Sequence, residues 1–344
     1  MLDGIIFGGM INMEEPTRPQ DLSGISYTSI HRSAGSHRIA SFLRQHGFDI
    51  EVVDFAPSWQ FEEFQELIRS RMTPTMKFVG LGATFHMNTE TLWRCFTWLK
   101  ETYPDVLLVS GSTDFYNLHL IPVDYLVVGY GELAILKILE GTAKYTEEVI
   151  DKEGNKRRTV HALKEYPAYP MRNLSIDYEK RDFPQPFESV TMETSRGCRF
   201  KCAFCTWPIL GVKDDHTRCS NDFRDNLMRN YDNYGIQRYS IADETFNDYS
   251  EKIIKYADVV ESLPFKPNFV VDISEQTYCI PDLRILNILR ACGLMGIFME
   301  LNHFIVRVLL LSVREWILIR LSKRFWILKI TSLSIMVFIV ELLD

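Results

Sequence analysis

Three of the chain's seven cysteines, Cys198, Cys202 and Cys205, fall within eight residues in the order C-x3-C-x2-C. They end the stretch Thr194-Ser195-Arg196-Gly197-Cys198-Arg199-Phe200-Lys201-Cys202-Ala203-Phe204-Cys205, which follows a short apolar strand holding Val190 and Met192. Thiolates this close can converge on one small object, so the spacing reads as a metal or cluster site. A disulfide framework fits poorly, because the cysteine count is odd and nothing marks the chain for export. Two occupants suit three thiols. Structural zinc needs four closed ligands, and His216 and Cys219 are the nearest donors of a fourth. A [4Fe–4S] cluster has four irons, so three cysteines leave one iron open to a further ligand. Phe204, between the last two cysteines, would wall such a cluster from solvent and pack on what binds it.

At 344 residues the chain exceeds one average domain, and two domains are expected. Its 46% apolar and 24% charged residues are those of a globular protein. A net charge of −7 argues against a nucleic-acid-binding surface as its main business. The start, Met1-Leu2-Asp3-Gly4, lacks the basic stretch of a signal peptide. With its free cysteines, this points to a reducing cytoplasm.

The first 141 residues alternate strand and helix. Apolar runs at 4–9, 50–55, 78–82, 106–111 and 124–128 are separated by helical spacing at 36–46, 60–71 and 89–103. That pattern predicts a parallel, doubly wound sheet. Gly129-Tyr130-Gly131-Glu132-Leu133-Ala134 has the letter pattern of a dinucleotide turn, but it follows the last strand, and a tight turn with close helix packing is the better reading. Residues 142–189 read as a hairpin around Glu153-Gly154-Asn155 and then a proline-rich crossing with Pro167, Pro170, Pro184 and Pro186. Lys156-Arg157-Arg158 reads as a solvated hairpin strand. Cys95 sits on an apolar helix face beside Leu92 and Phe96, a packing position, and Cys219, Cys279 and Cys292 have no partner spacing and are read as packing residues too.

From 190 to 300 the alternation resumes as helix, strand and helix. The strand at 238–242 ends in Asp243-Glu244, that at 269–274 carries Asp272 and Ser274, and that at 296–300 ends in Glu300. Carboxylates at the C-terminal ends of parallel strands sit at the catalytic mouth of a (β/α) barrel, which is the better reading of Asp243 and Glu244, with an acidic helix N-cap as the alternative.

C-x3-C-x-aromatic-C after a short apolar strand resembles the cluster motif of the radical S-adenosylmethionine enzymes. The resemblance implies a [4Fe–4S] cluster on Cys198, Cys202 and Cys205 whose open iron chelates S-adenosylmethionine. Phe204, Asp243, Glu244, Asp272 and Glu300 would then help to position that cofactor. The first domain resembles the cobalamin-binding-like domain that precedes many such barrels, through Arg38-Ile39-Ala40-Ser41-Phe42-Leu43-Arg44, Gly47, Asp54, Gly80 and Gly129-Tyr130-Gly131-Glu132. The D-x-H-x-x-G ligand motif for cobalt is absent. The fold expected is therefore α/β: a Rossmann-like domain over 1–141, a hairpin and linker over 142–189, and a partial radical S-adenosylmethionine barrel over 190–300. The implied partners are an unknown substrate and a reductant such as flavodoxin or ferredoxin, with neither nucleic acid nor membrane. A cobalamin-dependent methyltransferase, a non-catalytic zinc or iron–sulfur module, and an inactive fragment stand as alternatives.

Residues 301–344 change language. They hold no glycine or proline, and Leu, Ile, Val and Phe dominate. The longest charge-free run, 330–340, is shorter than the roughly 20 residues of a membrane span. The stretch fits a shifted reading frame: Ser312-Val313-Arg314-Glu315-Trp316-Ile317 can be encoded so that a frame one base earlier gives Ile-Gly-Lys-Gly-Met-Asp.

Overall fold

The computed structural model describes residues 2–8, 32–54, 61–82, 89–111, 122–150, 154–166, 175–186, 188–198, 216–243, 246, 249–274, 294–300, 316–321 and 324–329. They fall into two compact units that divide after Glu188.

The first unit alternates β1 (Gly4–Gly8), α1 (Ala34–Gln45), β2 (Ile50–Val53), α2 (Phe61–Arg71), β3 (Phe78–Gly82), α3 (Thr89–Thr102), β4 (Leu107–Gly111), β5 (Tyr125–Val128) and α4 (Glu132–Leu139). The strands pair in parallel in the order β2-β1-β3-β4-β5, a doubly wound sheet whose order reverses between β1 and β3. Both faces of the sheet are covered, so its strands are mostly apolar, with Glu51 and Ser110 as exceptions, instead of alternating with polar residues. On one face Ile5, Phe7, Val79, Leu81 and Leu108 pack with Phe64 and Ile68 of α2 and Cys95, Phe96 and Leu99 of α3. On the other, Ile6, Val52, Phe78 and Val109 pack with Ala40 and Leu43 of α1 and Ala134, Ile135 and Ile138 of α4. Burial pushes the Cys95 thiol up to about 12, as suits a packing residue.

The helix ends follow from local chemistry. Ser33 caps α1 by accepting from the Ser36 amide. Glu62 and Glu63 open α2 while Arg69 and Arg71 close it, each sign matching the helix dipole. The Gly-Tyr-Gly-Glu turn seats α4 against α1, and the buried Arg38 and Glu132 lie 3.3 Å apart across that contact.

β6 (Glu147–Ile150) and β7 (Lys156–His161) form the expected hairpin, and β7 then pairs in parallel with β5. The hairpin thereby extends the sheet to seven strands. The Arg158 guanidinium takes Glu148 at 2.8 Å and lies over the rings of Tyr125 and Tyr145. A four-residue helix α5 (Ala162–Glu165) follows. Residues 175–188 return to α1: Arg38 donates to the Ser175 carbonyl, Ser41 accepts from the Asp177 amide, and Arg44 pairs with Asp182 at 2.9 Å. The compact unit therefore runs past residue 141, because sheet pairing and this buried polar strip tie the connector to it.

The second unit contains β8 (Ser189–Met192), β9 (Ser195–Arg196), β10 (His216–Thr217), α6 (Ser220–Tyr234), β11 (Arg238–Ile241), α7 (Ser250–Glu261), β12 (Asn268–Ser274) and β13 (Leu294–Glu300). β8, β11, β12 and β13 pair in parallel in chain order, an arc of four strands with α6 and α7 on the connections. β14 (Trp316–Leu321) and β15 (Arg324–Lys329) pair antiparallel with each other and with no other strand among the described residues. No helix among the described residues is long and apolar enough to cross a membrane.

Candidate active site

Parallel pairing brings the C-terminal ends of four strands to one edge. Met192, Ile241, Val271 and Ile297 form a single row across β8, β11, β12 and β13. Asp272 lies one residue beyond that row on its strand, and Glu300 pairs with Ser274 at the strand ends. The cysteine loop starts from the same edge. After β8 the chain passes Glu193 and Thr194 into β9, which bridges back to β10, Thr217 against Ser195 and His216 against Arg196. Gly197 then turns at φ 89°, a conformation that side-chain-bearing L-residues resist, and delivers a half-buried Cys198 that is in no disulfide.

Under this loop lies a buried polar cluster. Asp243, two residues past β11, accepts the Thr194 amide at 2.6 Å and the Ser195 amide at 3.1 Å on Oδ1. Its Oδ2 accepts the Thr194 hydroxyl and, at 3.0 Å, the Ser195 hydroxyl. Lys252 of α7 donates to Ser195 Oγ at 2.9 Å and stands 3.7 Å from Asp243 Oδ2. Thr194, Ser195, Asp243 and Lys252 are all at least 95% buried. The Tyr256 hydroxyl lies 2.6 Å from the Thr194 carbonyl. Arg218, fully buried, pairs with Asp222, bonds Asn226 at 3.1 Å and reaches the Glu193 carbonyl at 3.2 Å. Strand β11 and helices α6 and α7 thus all hold the segment that carries Cys198. Of these residues, only Asp243 stands out in the sequence. Lys252 occupies the same helix stripe as the buried Tyr256, Val259 and Val260, and a lysine in an apolar stripe was the available signal.

Of the predicted site residues, the described ones are Cys198 and Asp243, with Asp272 and Glu300 placed by strand register. Cys202, Phe204, Cys205 and Glu244 lie outside the described residues. Asp243 faces the protein's own loop: both oxygens are engaged there. Cys219 stands at the N-cap position of α6 without a side-chain capping bond and is exposed, so the expected packing role does not hold for it.

The first unit presents its own edge. Gly8, Gly82 and Gly111 stand in one row at the C-terminal ends of β1, β3 and β4, where sheet order reverses. Open α/β sheets bind ligands at this kind of edge. A Cβ on Gly82 would come within 2.6 Å of Ser36 Oγ, and one on Gly8 within 2.8 Å of Ser33 Cβ, so the start of α1 needs both glycines. Asp54, just past β2, accepts from buried Arg32 at 2.8 Å and contacts His37 Nε2 at 2.7 Å. Burial raises the Asp54 carboxyl, but the His37 hydrogen bond and the neighbouring charges outweigh it and hold it below the usual range. Arg32 also forks onto Glu188 at 2.7 and 3.0 Å. His37 is a buried helix residue tied to Asp54.

No protein-family model matches the chain. Solved structures share its fold over most of its length. The cobalamin-dependent S-adenosylmethionine radical enzyme OxsB, with aqua-cobalamin and S-adenosylmethionine bound, is 16% identical with a TM-score of 0.61, over 87% of this chain and 44% of that one. The radical S-adenosylmethionine methyltransferase TsrM from Kitasatospora setae, with tryptophan substrate and a cofactor analogue bound, is 13% identical with a TM-score of 0.64, over 87% of this chain and 59% of that one. Over that length the chain shares the fold of these two enzymes, a doubly wound α/β unit followed by four parallel strands. Curated proteins match the chain in sequence as well. A presumptive methylthiotransferase of Methanocaldococcus jannaschii is 24% identical over 258 residues, 73% of this chain and 53% of its own length. An anaerobic magnesium-protoporphyrin IX monomethyl ester cyclase of a Synechocystis species is 23% identical over 161 residues, 42% of this chain and 32% of its own. The chain spans about half or less of the curated relatives it matches.

Proposed function

We propose that the chain is a radical S-adenosylmethionine enzyme, with Cys198, Cys202 and Cys205 holding a [4Fe–4S] cluster. The observation that carries this reading is the half-buried Cys198, delivered by a glycine turn beside the C-terminal ends of four parallel strands and opening a three-thiol motif. Three soft thiolates suit an iron–sulfur cluster and leave one iron for S-adenosylmethionine. When bound, the cluster supplies the electron that cleaves the sulfonium of S-adenosylmethionine and so starts radical chemistry on a substrate. The protein's work is orientation and exclusion of water. Phe204 shields the cluster, and Glu244, Asp272 and Glu300 bind the polar ends of S-adenosylmethionine from the strand-end edge. Asp243 contributes through the loop it holds. The reductant is a flavodoxin or ferredoxin, and the setting is the cytoplasm.

A cobalamin-dependent methyltransferase is the second reading, supported by the row of Gly8, Gly82 and Gly111 at the reversal of sheet order. The start of α1 packs on Gly8 and Gly82, and Gly111 is the member of the row whose nearest neighbour stands at ordinary contact distance, 3.5 Å. Without D-x-H-x-x-G, cobalamin would bind there without a histidine ligand from that motif.

Electron paramagnetic resonance of the anaerobically reconstituted, dithionite-reduced chain tests the first reading. A [4Fe–4S]⁺ signal that changes when S-adenosylmethionine is added supports it, and 5′-deoxyadenosine release follows as the assay of turnover. Zinc in place of iron sinks it in favour of a structural module. Retention of added hydroxocobalamin through gel filtration separates the second reading from the first.

A further inference from the structure

We infer that Asp243 and Lys252 form a buried positioning pair that holds the cysteine loop in shape, and that Asp243 is unavailable to S-adenosylmethionine. The inference rests on the cluster reading above and concerns the chain's own residues.

Asp243 takes four hydrogen bonds from two consecutive residues, two from backbone amides and two from hydroxyls. A carboxylate offers about four lone-pair sites, so Thr194 and Ser195 alone occupy its capacity. Lys252 adds a cation 3.7 Å from Oδ2 and donates to Ser195 Oγ. The Ser195 hydroxyl is thereby fixed in direction, accepting from Lys252 and donating to Asp243. A carboxylate buried this deeply needs a counter-charge, and Lys252 places one beside it. The chain between Asp243's partners and Cys198 is only Arg196 and Gly197, and Arg196 is itself clamped by Glu193 at 2.8 and 2.9 Å. The position of the first cluster thiolate is therefore set by β11 and α7, three residues upstream of the ligand. Acidic residues at this strand end invite assignment to the cofactor; the geometry assigns Asp243 to the loop.

The test uses the full chain, reconstituted anaerobically, as wild type, Asp243→Asn, Lys252→Met and Ser195→Ala. Asparagine keeps one acceptor for the two amides but turns a donor toward Thr194 Oγ1, Ser195 Oγ and Lys252. The chelator concentration that strips half the iron is expected to fall about 10- to 100-fold in Asp243→Asn and Lys252→Met, as for other residues that orient metal ligands. The reduced cluster's resonance spectrum, recorded without S-adenosylmethionine, is expected to shift or broaden. Ser195→Ala leaves both charges in place, should fold, and should move both readouts in the same direction by less. If Asp243→Asn or Lys252→Met fails to fold by circular dichroism, Ser195→Ala decides. A wild-type cluster with unchanged iron retention and cofactor-free spectrum in the folded variants, but a lost response to S-adenosylmethionine in Asp243→Asn, would make Asp243 a cofactor ligand and overturn the inference alone. A wild type that assembles no iron–sulfur cluster overturns the inference and the cluster reading together.

Discussion

Replacing Asp54 by asparagine should destabilise the first unit by about 3 kcal/mol. The size follows from what remains after the change. Breaking a buried ion pair by removing one charge costs roughly 3–5 kcal/mol, because the survivor stays buried without compensation. Here Arg32 is not left alone: it keeps its fork on Glu188 and its bonds to the carbonyls of Asp182 and Phe183. His37 fares worse, since its Nδ1 is already buried without a partner and Nε2 loses the carboxylate. One protected and one exposed partner place the cost at the lower end of the range. For a unit of this size about 1 kcal/mol shifts Tm by about 2–4 °C, so the loss should read as about 6–12 °C in a thermal melt at pH 7 followed by circular dichroism. The pH dependence has a definite sign. The Asp54 pKa is lowered in the folded state, so its contribution is full above the ordinary value of 3.8 and is lost as pH falls through the folded value. The gap between wild type and variant should therefore narrow below about pH 4. A shift under about 2 °C at pH 7, or a gap that stays constant into acid, would show that the Asp54 cluster is not the lock between β2 and α1 that its geometry describes.

The remaining expectations are shorter. Cys198→Ala, Cys202→Ala and Cys205→Ala should each abolish bound iron, whereas His216→Ala and Cys219→Ala should leave it; metal analysis of the purified chains decides between cluster and zinc. Gly111→Val places a Cβ at ordinary contact distance from the Val127 carbonyl, 3.5 Å, so it should fold and should lower hydroxocobalamin retention if the glycine row is the ligand edge. Gly235 ends α6 at φ 69°, and Gly235→Ala should cost about 1–2 kcal/mol in a denaturant titration. Resequencing the gene across codons 296–316 should reveal a frame change that restores a glycine-lysine-glycine segment after β13; an intact frame there removes that explanation of the tail.

The parallel sheet of the first unit was legible because its strands are buried on both faces and its helices carry one apolar stripe, two patterns that survive in sequence without any knowledge of partners. The hairpin at 147–161 was equally legible from its turn. What could not be read was where the hairpin goes. A two-stranded hairpin has two edges with unpaired backbone groups, and only the free edge of β5 tells which one it extends. The same limit applies to 175–188. Proline and polar composition describe a crossing, but its anchoring by Arg38, Ser41 and Arg44 depends on side chains more than 130 positions away.

Asp243 and Glu244 show the limit most sharply, because sequence gives two adjacent carboxylates at a strand end and no means to divide the work between them. Past the end of a strand, neighbouring residues still point to different sides. The residue turned toward the loop meets amides and hydroxyls and becomes part of the scaffold, as Asp243 does. What decides is the supply of donors, and Thr194 and Ser195 each bring an amide and a hydroxyl to one carboxylate. The Thr-Ser pair four and three residues before the first cysteine is therefore as informative about Asp243 as Asp243's own position is. With Lys252, a lysine set in an apolar helix stripe, the three sequence signals become one arrangement only when β8, β11 and α7 are brought together. Motif residues name the chemistry that a loop can hold, and the buried groups behind the loop determine whether it holds that shape.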